Sequence, residues 1–445
     1  MVVLLAIAVR LWSLNALGFN SDEAVYAGQA AAIRQDPLLS QFFPVFRAHP
    51  LFFQFTLSII FEIWTADWSA RMLSVLFGIG TVLLTYRLGI LLYNPGTGLI
   101  AALLLAMMPY HVVVSRQVLL DGPMTFFATL ALYLLARFAL SERPVWLYLT
   151  GAALGLTFLA KETGILFAGA VYIFLALSPS VKMRLRDLMV SAGIMLVTML
   201  PYPLSIVLAG GGGSDNSGNY LVWQFFRRPN HTWSFYLETI PWEVGPLVLL
   251  LMVVGLVILR KEANWRETLL LSWILVPVVF FQLWLTKGYQ YLLPVVPAIS
   301  LLAARPIHVW SSSTASSARR VKLTRIFGWF ILCLTMITLL LPTLQKVIPS
   351  PSDKFLAGSG GIPGGRETGL WIRENTPEGS TFMTIGPSMA NILQFYGQRQ
   401  AYGISVSPNP LYRNPSYQPI RNPDLQIRLG EIQYLVWDAY SAGRT

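Results

Sequence analysis

Cysteine and charge are both scarce in this sequence. One cysteine, Cys333, in 445 residues cannot close an intramolecular bridge, which excludes a disulfide scaffold. Only 12% of the residues are charged, against roughly 25% in soluble domains, which excludes a soluble globular enzyme. The four histidines (His49, His111, His231, His308) are scattered, and there is no Asp-x-Asp pair, His-Glu-x-x-His or Walker loop. A bound zinc and a soluble-type nucleotide-sugar site therefore lack support. No glycine period and no internal repeat of the halves is present.

Apolar residues are abundant instead, at 55%, and the mean hydropathy is +0.57. The net charge of +11 would suggest nucleic acid in a soluble protein. In a membrane protein the same excess places basic loops against anionic lipid, so membrane lipids rather than nucleic acid are the expected partner. Windows of about 20 mostly apolar residues suit a spanning helix. They predict eleven transmembrane segments, at about 1–17, 69–91, 97–114, 123–140, 146–160, 164–178, 188–209, 241–259, 268–286, 289–308 and 325–344. The first has no small-residue cleavage site and reads as a helix that lost its first few residues, not as a signal peptide.

With the N-terminus cytoplasmic, inner connections hold 14 Lys and Arg and outer connections 7, which favours this orientation in an inner (plasma) membrane. An odd number of spans then puts residues after 345 outside. That tail changes character at Pro349-Ser350-Pro351-Ser352-Asp353 and passes a linker containing Gly358, Gly360, Gly361, Gly364 and Gly365. It reads as a small extracytoplasmic α/β domain over 346–445, with helices at 366–375 and 387–397 and strands at 381–385, 400–405 and 432–437. A Pro/Asn-rich loop covers 407–423, and the domain is expected to be incomplete at Thr445. Two outer loops are long enough for chemistry: 18–68, whose stretch from His49 to Ile63 suits an interfacial helix, and 210–240, which opens on four glycines and carries Arg227-Arg228.

Asp22 and Glu23 sit where the first segment reaches the outer surface. A partly desolvated acid there can accept a proton from an incoming hydroxyl. The alternative is that Ser21 caps a short helix whose dipole both acids complement. Neighbours on a helix point about 100° apart, so one of the two is expected to face a reacting centre. Arg116 and Asp121 form a second outer cluster; an Arg116–Asp121 ion pair pinning the turn and a phosphate contact are both open. Lys161, followed by Glu162, and Lys287, followed by Gly288, Tyr289 and Tyr291, run against the positive-inside trend. Binding a lipid phosphate or snorkelling to head groups would each explain them, and Tyr289 also suits an interfacial belt. The sequon Asn230-His231-Thr232 arises often by chance.

Together these residues resemble the membrane-embedded GT-C glycosyltransferases. The resemblance runs over about residues 1–345, through Asp22-Glu23-Ala24-x-Tyr26-Ala27 after a span ending Arg10-Leu11-Trp12, then His49-Pro50-Leu51, Ser115-Arg116, Leu120-Asp121, and Lys287-Gly288-Tyr289 leading into Tyr291-Leu292-Leu293-Pro294. The branch it is most similar to contains protein O-mannosyltransferases and the lipid A aminoarabinose transferase. His49-Pro50 stands where the aminoarabinose branch usually has lysine before its prolines. The resemblance implies transfer of a sugar from a polyprenyl-phosphate carrier to a protein, lipid or glycan acceptor on the extracytoplasmic face, by inverting single displacement, usually without a metal or other cofactor. It implies Asp22 as catalytic base with Glu23 as its acidic neighbour. Arg116, Lys287, Lys161 and Tyr289 would then lie near the donor phosphate, with Asp121, Tyr26 and His49 in support. A secondary transporter or lipid flippase is the alternative class. Transporters tend to show pseudo-symmetric halves and charges at mid-bilayer, whereas here the halves differ and the charges cluster at helix ends.

Overall fold

A computed structural model describes residues 1–45, 47, 49–208, 223–224, 226–258, 265–313, 318–349, 361–414 and 416–443. The four glycines at 210–213 and the linker residues 350–360 lie outside the described residues. The fold is a helical bundle with a small parallel sheet packed against one end.

Among the described residues six helices are long and apolar enough to cross a membrane: Asp67–Leu92, Asp121–Ser141, Leu185–Leu208, Trp265–Leu283, Tyr289–Ser311 and Val321–Val347. A seventh crossing arises if the bent pair Phe235–Val244 and Pro246–Val257 counts as one. The other four of the eleven expected segments fall on shorter apolar helices (Val2–Leu11, Pro95–Met107, Pro144–Ala160 and Glu162–Leu177), so length and composition alone support six or seven of the spans. Helix Phe52–Phe61 lies within the stretch expected to form an interfacial helix.

Tyr289–Ser311 is the central helix, almost wholly enclosed by its neighbours, whereas Leu185–Leu208 is nearly all exposed. The exposed face of the latter presents Met189, Leu196, Val197, Leu204 and Val207. In water such a face would be an association hazard, and a bilayer removes it. Small residues bring helices close: a Cβ on Gly89 would lie 2.4 Å from the Cα of Gly98, so Asp67–Leu92 and Pro95–Met107 pack backbone to backbone. The bent pair turns by 90° at Gly245, whose φ of 98° is open to glycine and whose successor, Pro246, cannot continue the first helix's hydrogen bonds.

Three short parallel strands, β1 (Thr381–Thr384), β2 (Gln400–Gly403) and β3 (Tyr434–Val436), are ordered β2-β1-β3, with Phe382 paired to Ala401 and Tyr434. Helix Pro387–Ile392, prolonged by a π turn at Leu393–Gly397, makes the β1–β2 crossover, and helix Gly365–Asn375 packs on that turn. Among the described residues this assembly has no core separate from the bundle's. Ile372, Phe382, Ile392, Phe395 and Tyr396 share one apolar cluster with Phe19, Ala24, Ala27, Leu57, Phe61 and Leu73 from the first half of the chain. Helices Ser21–Ile33 and Phe52–Phe61 are therefore wedged between bundle and sheet, and Asp22 lies at that seam.

Candidate active site

Helix Ser21–Ile33 starts with a capping box. Asn20, not Ser21, is the N-cap: its side-chain oxygen accepts the Glu23 N–H at 2.9 Å, and its own N–H donates to Glu23 Oε2 at 3.1 Å. The two neighbouring acids then diverge. Glu23 is fully buried and takes a two-pronged contact from Arg71, Nε to Oε1 and Nη2 to Oε2, both at 2.9 Å, with the Val118 N–H adding a bond of 3.0 Å. Those bonds occupy the carboxylate, so Glu23 ties together three stretches of chain, which replaces the catalytic part expected of it. Asp22 is half-buried on the other side of the helix, near enough for its charge to act on the hydroxyls of Tyr291 and Tyr417. Tyr26, one turn further on, shares its face.

Lys161 faces the same place. Its ammonium donates to both oxygens of Asp121, at 2.8 and 3.0 Å, and stands 4.6 Å from the centre of the Tyr291 ring. Asp121 thus pairs with Lys161 and not with Arg116. Beside this pair, His49 Nδ1 is 2.8 Å from Glu162 Oε2, and the Tyr26 ring meets the His49 ring edge-on at 6.4 Å. Arg227, laid over Trp223 at 4.5 Å, is a second cation here, and its charge reaches both Tyr291 and Tyr417. Burial and the Asp22 carboxylate push the Tyr417 hydroxyl up to about 12.

Three expected phosphate contacts are engaged elsewhere. Arg116 gives Nη1 to the carbonyls of Val9, Arg10 and Trp12 (3.0, 3.0 and 2.7 Å) and Nη2 to Ser13 at 3.4 Å, so it caps the C-terminus of helix Val2–Leu11. Burial and the charge of Arg71 lower its pKa to about 10. Lys287 bonds the carbonyls of Phe281, Gln282 and Trp284 at the end of helix Trp265–Leu283, the shortest at 2.8 Å, and burial lowers its pKa. Tyr289 donates to Glu243 at 2.6 Å, and Glu243 in turn pairs with Lys346. Among the described residues no three His, Cys, Asp or Glu side chains form a metal-ligand group.

Residues 48–206, roughly a third of the chain, match the family model for dolichyl-phosphate-mannose-protein mannosyltransferase. YycA of Bacillus subtilis (strain 168), which carries a provisional mannosyltransferase name, is 30% identical over 174 residues, covering 38% of this chain and 24% of YycA. The match thus spans about a quarter of that relative. An uncharacterised protein of Aquifex aeolicus (strain VF5) is 26% identical over 303 residues, 66% of each chain. ArnT from Cupriavidus metallidurans, in its crystal structure bound to undecaprenyl phosphate, superposes with a TM-score of 0.68 at 15% identity, over 92% of this chain and 86% of ArnT. The chain shares its fold with ArnT. The archaeal oligosaccharyltransferase AglB from Archaeoglobus fulgidus, in complex with an inhibitory peptide and a dolichol phosphate, has a TM-score of 0.59 at 14% identity, over 90% of this chain and 63% of AglB.

Several of these site residues carried no sequence signal of their role. Arg71 reads as one polar residue inside an apolar span, and nothing local ties it to Glu23. Glu162 and Tyr291 stand beside residues the motifs did single out, and Arg227 was visible only as an outer-loop charge. Asn391 and Tyr417 lie hundreds of residues from Ser21, and only folding brings them to it.

Proposed function

We propose that this protein moves a sugar from a polyprenyl-phosphate carrier to an acceptor hydroxyl, in a multi-pass inner-membrane setting with the sheet-bearing end extracytoplasmic. The carrying observation is that Asp22, the Lys161–Asp121 pair, Tyr291 and Arg227 gather at one end of the bundle, although they come from five separate stretches of chain. In this reading the acceptor oxygen attacks the anomeric carbon as Asp22 takes its proton. The bond from that carbon to the phosphate oxygen breaks, its electron pair leaves with the lipid phosphate, and the configuration inverts.

A lipid phosphate leaves without protonation and needs only cations to hold its charge. Lys161 and Arg227 supply them, so the step requires no metal ion. Asp121 keeps the ammonium of Lys161 charged and fixed, and the His49–Glu162 pair, with Tyr26 against the His49 ring, stands beside it. A positioned base of this kind contributes roughly 10²–10⁴-fold. The acceptor class, protein, lipid or glycan, is left to experiment.

The test incubates purified protein with a panel of undecaprenyl-phosphate sugars and acceptors and measures release of undecaprenyl phosphate. Wild type is expected to consume one donor, and Asp22→Asn to bind undecaprenyl phosphate normally yet lose at least about 100-fold in turnover. An Asp22→Asn protein with wild-type turnover refutes the assignment.

A further inference from the structure

The turn that delivers Asp22 is gripped from two sides. From the bundle, Arg71 donates to the carbonyls of Leu14, Leu17 and Gly18 at 2.9, 2.7 and 3.0 Å, while its other bonds hold Glu23. Three side chains of the C-terminal part take the opposite side. Arg366 donates to the carbonyls of Asn15 and Ala16 at 3.0 and 3.2 Å. The Tyr396 hydroxyl accepts the Phe19 N–H at 2.8 Å and donates to Asp67 at 2.6 Å. Asn391 donates to Ser21 Oγ at 2.8 Å, immediately before Asp22.

The fit at this seam leaves no slack. A Cβ on Gly18 would lie 2.4 Å from the Cβ of Arg366, and the Phe19 ring packs on Phe395 at 5.1 Å. Phe19, Asn20, Ser21, Tyr396 and Asn391 are all buried. A turn that merely joined a span to a surface helix could bond to water. This one has its carbonyls and one N–H bonded by side chains from both halves of the molecule, the condition for holding one carboxylate in one place.

We infer that Tyr396, Asn391 and Arg366 are positioning residues for the transfer reaction: the C-terminal part sets the place of the Asp22 carboxylate and is a component of the active site, not a detachable acceptor-binding module. The inference rests on the reading of Asp22 as base. Its physical cause is the sensitivity of transfer to geometry, since a displacement of about 1 Å costs on the order of 100-fold.

The experiment uses the full chain and the undecaprenyl-phosphate sugar that wild type consumes, with Tyr396→Phe, Asn391→Ala, Ser21→Ala and the Ser21→Ala/Asn391→Ala double variant beside Asp22→Asn. Tyr396→Phe and Asn391→Ala are expected to lower kcat by about 10-fold or more while KM for the donor and binding of undecaprenyl phosphate stay within about twofold. The double variant is expected to lose less than the two single losses combined, because both changes remove the Asn391–Ser21 bond. Independently of any donor, hydrogen exchange of amides 14–24 is expected to quicken in Tyr396→Phe while that of the central helix Tyr289–Ser311 is unchanged. Unchanged turnover and exchange in Tyr396→Phe beside an inactive Asp22→Asn overturns the inference alone. A loss of donor binding in step with turnover also overturns it, because that is what a merely structural contact would give. An active Asp22→Asn overturns the base assignment and this inference with it.

Discussion

Glu23→Gln separates the two neighbouring acids most sharply. Glu23 is fully buried and accepts four bonds: two from Arg71 and one each from the N–H groups of Val118 and Asn20. Glutamine keeps the shape but only one acceptor oxygen, and it turns an amide N–H₂ toward a donor. Arg71, 3% exposed, is then a buried cation without its counter-charge. Breaking one side of a buried pair costs about 3–5 kcal/mol, against a typical total stability of about 5–15 kcal/mol. Thermal unfolding in detergent, followed by intrinsic tryptophan fluorescence, should show Glu23→Gln with a strongly lowered midpoint and little folded protein. Asp22→Asn, altering a half-buried group outside that network, should keep the wild-type midpoint. A Glu23→Gln protein that melts with wild type would refute the assignment of Glu23 to the scaffold; if it were also inactive, the chemistry would belong to Glu23.

Two further predictions follow from the same site. Lys161→Met removes a cation from Asp121, itself 2% exposed, and is expected to abolish undecaprenyl phosphate binding and to destabilise by about 3–5 kcal/mol; adding Asp121→Leu should restore the melting midpoint but not the binding, and restored binding would remove Lys161 from the phosphate site. For Tyr417, the folded state holds the proton up to about pH 12, above the ordinary tyrosine value of about 10. Its stabilisation is complete below pH ~10 and fades between ~10 and ~12, so Tyr417→Phe should lose less of its melting midpoint over that window than wild type, and parallel curves would contradict the burial of this hydroxyl beside Asp22.

What the sequence disclosed was what its local chemistry encodes. Long apolar runs mark the six long helices, whereas Ser21, the cap its residue type suggests, stands one residue past the N-cap, Asn20. The shorter crossings and the bend at Gly245 blur the span count, because a helix enclosed by others does not need full hydrophobic length. The cations were harder to place. Arg116 and Lys287 look, in sequence, like Lys161: single positive charges at a helix end. What tells them apart is the partner, since Arg116 and Lys287 meet the carbonyls of helix C-termini and Lys161 meets Asp121. Carbonyls are present at every residue and carry no sequence signal, so only folding decides which cation is left to face a phosphate. The shared core that joins Phe19 to Phe395 is likewise a long-range fact, invisible to periodicity.

Donor phosphate and base are expected to meet at the seam between bundle and sheet, and a cryo-electron microscopy map of the protein with undecaprenyl phosphate decides whether they do. Phosphate density is expected against Lys161 and Arg227, with Asp22 facing the phosphate across a gap wide enough for one sugar ring. Phosphate density against Arg116 or Lys287, or at the opposite end of the bundle, would contradict this expectation.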